Sequence, residues 1–331
     1  MNMTRKGSLI FAMFAAAFGL VSHQAAAADL QLLSSWDQNY PMRQMLVDPF
    51  VKDVEEGTKG TIKIRVSGPE TVPSFEQLQP VGAGVFQLLY THGAYHFGTT
   101  PIATAVEALS GTLEQWRAAG IKEHIDAHYR QFGVKLLMLA PSAANQGYHI
   151  VLRSPVKPAG DLQGFKIRAT PTYDGVLKLL GASPVILPPA EVYTSLDKGL
   201  VDGAAWPTFG AFNYKWYEVS KHVLRPAFGT TTQLLFINIA AWNKLSDAEK
   251  KVMTAAAAKA EESYYNGYSK LSEEELKKLT GKGMTVVEMG PAQKAKLNDA
   301  WAAGQWENAS KKMPKESAEL RNLAVSKGLA K

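Results

Sequence analysis

Two features of this chain could do chemistry by residue type and spacing: one arginine on a short apolar strand, and two pairs of histidines four positions apart. Arg168 ends the run Gly164-Phe165-Lys166-Ile167-Arg168, in a segment bounded by Gly164 and Pro171. A guanidinium at a strand end can hold a carboxylate through two parallel N–H···O bonds, a geometry lysine cannot match. By its own position the same arginine could equally pair with an internal Asp or Glu, or face solvent. The histidine pairs are His92/His96 and His124/His128. The second reads His-Ile-Asp-Ala-His and lacks the glutamate that a HExxH metal site uses as base; the first spans Gly93 and reads as a loop. Without a third ligand in view, both pairs are read as structural or surface groups, with no metal or other cofactor expected. No GxSxG elbow, GxxxxGK[ST] loop or GxGxxG turn occurs, and a chain without cysteine has no thiol chemistry.

The elements that must position Arg168 follow from the pattern around it. Phe165–Ala169 reads as a strand. A helical run follows, with Tyr173, Val176, Leu177 and Leu180 at helical spacing and Gly181 where a left-handed C-cap is wanted. Ser183–Leu187 is a second strand. Pro188-Pro189 opens a further helix with Glu191 in its first turn and Gly199 at its end, and Leu200–Trp206 is the third strand. In open α/β sheets built from such β-α-β-α-β units, ligands bind at the strand ends.

Elsewhere the pattern predicts strands at Leu30–Ser34, Thr61–Val66, Val85–Thr91, Val134–Ala140 and Tyr148–Leu152. It predicts helices at Met42–Glu56, interrupted at Pro49, and Leu113–Phe132. Ser246-Asp-Ala-Glu249 fits a capping box, opening an Ala/Glu/Lys-rich helix that continues to Thr280. A short strand at Met284–Glu288 and a helix from Pro291 to about Lys312 follow. The class is α/β, and about 300 residues exceed one ordinary core, so two lobes are expected.

Arg5 and Lys6 precede an apolar run from Leu9 to Val21, and Ala26-Ala27-Ala28 offers small residues for cleavage. Residues 1–28 therefore read as a secretory signal peptide, with a periplasmic chain starting near Asp29 that is not embedded in a membrane. Removing them takes two cations and no acids from a formal charge of +6, leaving +4. The basic residues are scattered among acids with no basic-aromatic stretch, so no nucleic-acid partner is expected.

The motifs GFKIR, GASPV, EVYTSLDKGLVDG and the final WP of residues 161–207 resemble the substrate-binding proteins of tripartite ATP-independent periplasmic (TRAP) transporters. The family includes C4-dicarboxylate, sialic-acid and 2-oxo acid binders, and the likeness runs more weakly over nearly the whole mature chain. It implies a two-lobed periplasmic binding protein fold, type II-like, with crossing strands and a long helix spanning both lobes. Lobe I would be residues 29–146 plus 232–270. Lobe II would be 147–231 plus 271–331, its C-terminal helices packing across the lobes. It also implies a receptor rather than an enzyme, which carries a small organic acid to separate membrane permease subunits.

By the same resemblance, Arg168 would grip the ligand carboxylate. Trp206 stands where many members have an asparagine. The Ala204-Ala205 before it leaves no glutamate of the kind that accompanies a bound cation in 2-oxo acid binders. An aromatic wall there favours a flatter or more apolar ligand. Tyr148 lies near the position of a second carboxylate-binding arginine in some members. One arginine and a tyrosine point to a monocarboxylate (aromatic, branched or 2-oxo) over a dicarboxylate. Trp36, Asn39 and Tyr40 in the first loop, and Thr91, His92 and Tyr95 after the Val85–Thr91 strand, would be the other lobe's contribution. Phe209, Asn213 and Phe236 are further candidates near the crossover.

Overall fold

The computed structural model describes residues 28–157 and 160–331; the signal peptide read from residues 1–28 lies, but for Ala28, outside them. Eleven strands are present among the described residues: β1 Ala28–Ser34, β2 Ile62–Ser67, β3 Leu88–Thr91, β4 Val134–Pro141, β5 Tyr148–Leu152, β6 Lys166–Ala169, β7 Ser183–Ile186, β8 Gly203–Pro207, β9 His222–Phe228, β10 Thr232–Asn238 and β11 Thr285–Glu288. They form two mixed sheets, in the orders β2-β1-β3-β10-β4 and β11-β9-β5-β8-β6-β7. In the first, β10 runs antiparallel to both β3 and β4; in the second, β5 runs antiparallel to β8 and β9. The β6, β7 and β8 strands pair in parallel, as strands joined by helical crossovers must.

The chain passes between the sheets at β4→β5 and β9→β10, and the two passages are stitched together. Ser142 N–H donates to the Thr231 carbonyl at 2.8 Å, Thr231 N–H to the Ser142 hydroxyl at 3.0 Å, and Gly147 N–H to the Gly229 carbonyl at 2.9 Å. The 35-residue helix Asp247–Gly281, about 50 Å long at the standard rise, crosses both lobes. Its start carries the Ser246/Glu249 capping box. Just before its midpoint, the buried Glu261 carboxylate takes Arg117 at 3.0 Å, Lys122 at 3.4 Å and the Leu139 N–H at 2.9 Å from the first lobe. Further on, the Tyr268 hydroxyl donates to the Gly147 carbonyl at 2.6 Å, at the passage itself.

Local departures from the sequence pattern have local causes. The expected helix Leu113–Phe132 is two helices, Leu113–Ala118 and Ile121–Tyr129, because Gly120 between them takes φ +72°. Before Pro49 the chain winds one π turn, Arg43–Val47, and the regular helix Asp48–Gly57 starts with Pro49 in its first turn, where no N–H is needed. The strand expected from Val85 begins at Leu88, since Val85 N–H turns back to the Pro80 carbonyl and the side chain is exposed. Helix Pro314–Ser326 buries Leu320 and Ala324 among Ile102 and Val106 of the first lobe's core. This last helix therefore packs on lobe I, while the family resemblance assigns residues 271–331 to lobe II with the C-terminal helices packing across the lobes. Helix Pro291–Lys312 bridges: Leu297 and Trp301 enter the second core, Trp306 and Ala309 the first.

Candidate functional site

A cavity lies between the lobes at the ends of β1, β3, β6, β8 and β10, walled by Trp36, His92, Ala94 and Tyr95 on one side and Tyr148, Arg168, Thr170, Tyr173, Trp206 and Pro207 on the other, with Gln233 at the passage. It holds about 300 Å³ of space between atoms, of which only about 20 Å³ is open to the centre of a water molecule. That is room for about one water, so the walls stand nearly in contact and the lobes are shut.

Arg168 is 1% exposed. Its Nε and Nη2 donate to the Leu187 carbonyl at 3.0 and 2.8 Å, and Nη1 donates to the Ala205 carbonyl at 3.2 Å. Its guanidinium carbon stands 5.0 Å from the centre of the Trp206 ring. All three bonds go to neutral carbonyls, and among the described residues no carboxylate pairs with it. A guanidinium has five N–H donors, so two are unspent. An unpaired buried cation is costly, and this one is held rigidly in a cavity wall.

Trp206 makes edge-to-face contacts with Tyr40 (6.1 Å between ring centres), Tyr214 (5.9 Å) and Trp216 (5.1 Å). From the other lobe Trp36 stacks on Tyr40 at 4.8 Å and 19°. Tyr40 thus sits between the two tryptophans and joins the lobes through aromatic contact. Gly210 permits this closeness: it takes φ +101°, and a Cβ there would lie 3.1 Å from the Trp206 Nε1 and from the Tyr40 ring.

Behind the cavity stands a carboxylate that the sequence pattern does not single out. Glu107 is 1% exposed, in a short turn after helix Ile102–Ala105. Its Oε1 accepts from Thr232 N–H at 2.8 Å and the Thr232 hydroxyl at 2.9 Å, and meets His92 Nε2 at 2.6 Å. His92 Nδ1 accepts the Ala94 N–H at 3.0 Å, which leaves the ring proton on Nε2, facing Glu107. The Tyr148 hydroxyl donates to the same carboxylate at 3.0 and 3.1 Å. Burial first, and the Glu107 charge second, push the Tyr148 phenol well above its ordinary pKa, so it stays a donor. Burial also raises Tyr95, to about 12, against the pull of Arg168 and the Trp36 indole beside its hydroxyl.

Of the residues singled out by sequence, Trp36, His92, Tyr95, Tyr148, Arg168 and Trp206 line the cavity. Tyr40 and Phe209 lie one layer behind, 6.0 Å apart, and Phe209 packs on Tyr268. Thr91 is buried and accepts from the Ser35 hydroxyl at 2.7 Å. Asn39 and Asn213 are exposed, and Phe236 packs in the first lobe's core against Tyr129 at 4.7 Å. None of these last four reaches the cavity. Thr170, Tyr173 and Gln233 do, and nothing in their local spacing marks them. Of the remaining histidines, His96 meets the Tyr129 hydroxyl at 2.5 Å and His128 the Thr100 hydroxyl at 2.8 Å. Among the described residues no cluster of three or more His, Asp or Glu could hold a metal.

Two α/β lobes joined by crossing strands, shut over a buried cation and an aromatic wall, define a solute-binding protein of the periplasmic type. The chain belongs to family 7 of the bacterial extracellular solute-binding proteins, whose model matches residues 33–312, and is a receptor of the TRAP kind. It is 28% identical over 253 residues to a monocarboxylate 2-oxoacid-binding periplasmic protein of Nostoc sp., covering 72% of this chain and 68% of that one. It is 24% identical over 261 residues to the 2,3-diketo-L-gulonate-binding periplasmic protein of Escherichia coli, covering 76% and 79%. Its fold matches the crystal structure of a Bordetella pertussis extracytoplasmic solute receptor binding pyroglutamic acid, with TM-score 0.79 at 19% identity over 90% of this chain and 100% of that one. Proteins of this family are periplasmic, and no helix among the described residues is long and apolar enough to cross a membrane.

Proposed function

We propose that this protein captures a small monocarboxylate between its lobes, neutralises it on Arg168, and carries it to the membrane permease of a TRAP transporter. One observation carries the reading: Arg168 is buried and charged, is anchored only by carbonyls, and has two donors unspent. A carboxylate accepting both would complete the fork and remove the cost of an unpaired buried cation. Among the described residues no second arginine or lysine lines the cavity, and Tyr148 and His92 are committed to Glu107, which favours one carboxylate over two. The carboxylic acids bound by the relatives support the same class.

Because the cavity is nearly filled by its own walls, uptake proceeds by the lobes parting at the stitched passages and closing again over the ligand. Closure excludes water and strengthens the ion pair in a less polarisable surrounding. The test is calorimetric titration with a panel of short mono- and dicarboxylates. Arg168→Ala should lose at least about 30-fold in affinity for whichever monocarboxylate the parent binds, as expected when one partner of a desolvated ion pair is removed. Equal affinity in the variant, or a parent that binds dicarboxylates alone, would remove this reading.

A further inference from the structure

The helix Pro291–Lys312 carries a row of side-chain donors on one face, Trp301, Gln305 and Asn308, spaced i, i+4 and i+7. Each spends an N–H on a backbone carbonyl beside the cavity. Gln305 Nε2 donates to the Thr172 carbonyl at 2.6 Å and Asn308 Nδ2 to the Pro171 carbonyl at 2.8 Å, both in the second lobe. Trp301 Nε1 donates to the Glu107 carbonyl, in the first. Pro171–Tyr173 is a single turn with no side-chain cap of its own, and it is flanked by Thr170 and ends on Tyr173, both of which line the cavity. The Trp301 ring stands 4.8 Å from that of Tyr148 and 6.1 Å from that of Tyr173. The helix lies directly on the one that follows the turn. A Cβ on Gly175 would collide with the Ala300 carbonyl, and one on Gly304 would lie 2.9 Å from the Gly175 backbone.

We infer that Gln305 is a positioning residue for ligand binding, acting through the Thr172 carbonyl to hold Thr170 and Tyr173 in the cavity wall, with Asn308 as the second attachment of the same turn. This rests on the acid being held in the cavity. It goes beyond that reading by placing part of the affinity on a helix that contributes no side chain to the wall. Gln305 is fully buried, and its Oε1 has no partner, so the bond to Thr172 is all the amide makes. A reversed amide would set oxygen against oxygen, which fixes Nε2 as the donor. A buried amide with an idle carbonyl is a poor packing group beside an apolar side chain of the same shape. What it supplies is the place of the turn.

The experiment compares the full chain with Gln305→Met, which keeps the length and loses the N–H, and with Gln305→Glu. The probes are pyruvate, 3-methylbutanoate, pyroglutamate and benzoate, titrated calorimetrically well below the melting temperature. Gln305→Met should weaken the tightest-binding of the four by about 5–10-fold, as for one lost buried hydrogen bond. Gln305→Glu has a donor only while its buried carboxyl is protonated, so it should bind within about 2-fold of the parent at pH 5 and about 10-fold more weakly at pH 8. In the unliganded proteins, the peptide spanning residues 168–176 should exchange its amide hydrogens about 10-fold faster in Gln305→Met, with residues 203–207 unchanged. A variant that melts lower yet binds as the parent does, or a Gln305→Glu to parent ratio that is flat with pH, would make Gln305 structural and overturn the inference. Unchanged exchange over 168–176 would overturn it too. A parent that binds none of the four acids would overturn the carboxylate reading alone, and the exchange rates would then decide whether Gln305 sets the turn.

Discussion

The Tyr148 hydroxyl lies 3.0 Å from one oxygen of the Glu107 carboxylate and 3.1 Å from the other, and so ties the first strand of the second lobe to a turn of the first. The same carboxylate holds the first residue of β10 through Thr232, and the Glu107 carbonyl accepts the Trp301 indole at 2.9 Å. One buried acid therefore touches both lobes, the passage between them and the bridging C-terminal helix.

Glu107→Gln should loosen this junction. The amide brings a donor pair to a place where His92, Tyr148 and Thr232 all present donors. A loss of about 2–4 kcal/mol is expected, enough to lower the melting temperature by several degrees. Thermal denaturation of parent and variant at one pH checks this, and an unchanged melting temperature would contradict it.

His96 should make the fold acid-sensitive. Burial foremost, with His92 and His128 nearby, lowers its pKa to about 3 from the ordinary 6.5. Between those values the unfolded chain binds a proton that the folded protein refuses. Stability is then fully present above 6.5 and is lost as pH falls toward 3. Denaturant titrations of parent and His96→Gln from pH 7 to 4 should give a shallower fall for the variant. Parallel curves would show that another group is responsible.

Glu275 should act in the opposite sense. It accepts the Phe212 N–H at 2.7 Å and holds the loop that follows Trp206, and burial raises its pKa to about 7 from 4.5. The folded state binds the proton more tightly, so its contribution is complete below 4.5 and is lost as pH rises through 7. Glu275→Gln keeps the acceptor without the charge. It should melt higher than the parent at pH 8, by up to about 3 kcal/mol of stability, and match it near pH 4.5. A lower melting point at pH 8 would show that the charged form is the stabilising one.

Gly210→Ala should disturb the aromatic wall. The position combines φ +101° with a predicted Cβ contact of 3.1 Å to Trp206 and Tyr40. A loss of about 1–3 kcal/mol is expected from backbone strain and crowding together. Calorimetric titration should also show weaker ligand binding, because Trp206 must shift. Parent-like affinity at reduced stability would separate Gly210 from the site.

Much of this protein was determined by local sequence. The β6–β8 unit, the Gly181 cap, the Ser246/Glu249 box and the long helix follow from periodicity and terminal residues, because those signals act over a few positions. Arg168 was legible for the same reason: a fixed charge on an apolar strand needs a partner wherever it is buried. What the tertiary structure alone decided is which groups meet at that charge. Thr170 and Tyr173 come from one segment and Gln233 from another, Glu107 stands behind the cavity from a third, and only the shut lobes bring them together. Asn39, plausible by position, faces water because its loop turns outward at Asp37, whose carboxylate takes the Asn39 N–H. Tyr148 lines the cavity, but its hydroxyl proton goes to Glu107, a residue distant in sequence. The chain's own pattern fixes its elements and its anchor; which donors and acceptors meet around that anchor depends on long-range pairing, and no short-range signal carries it.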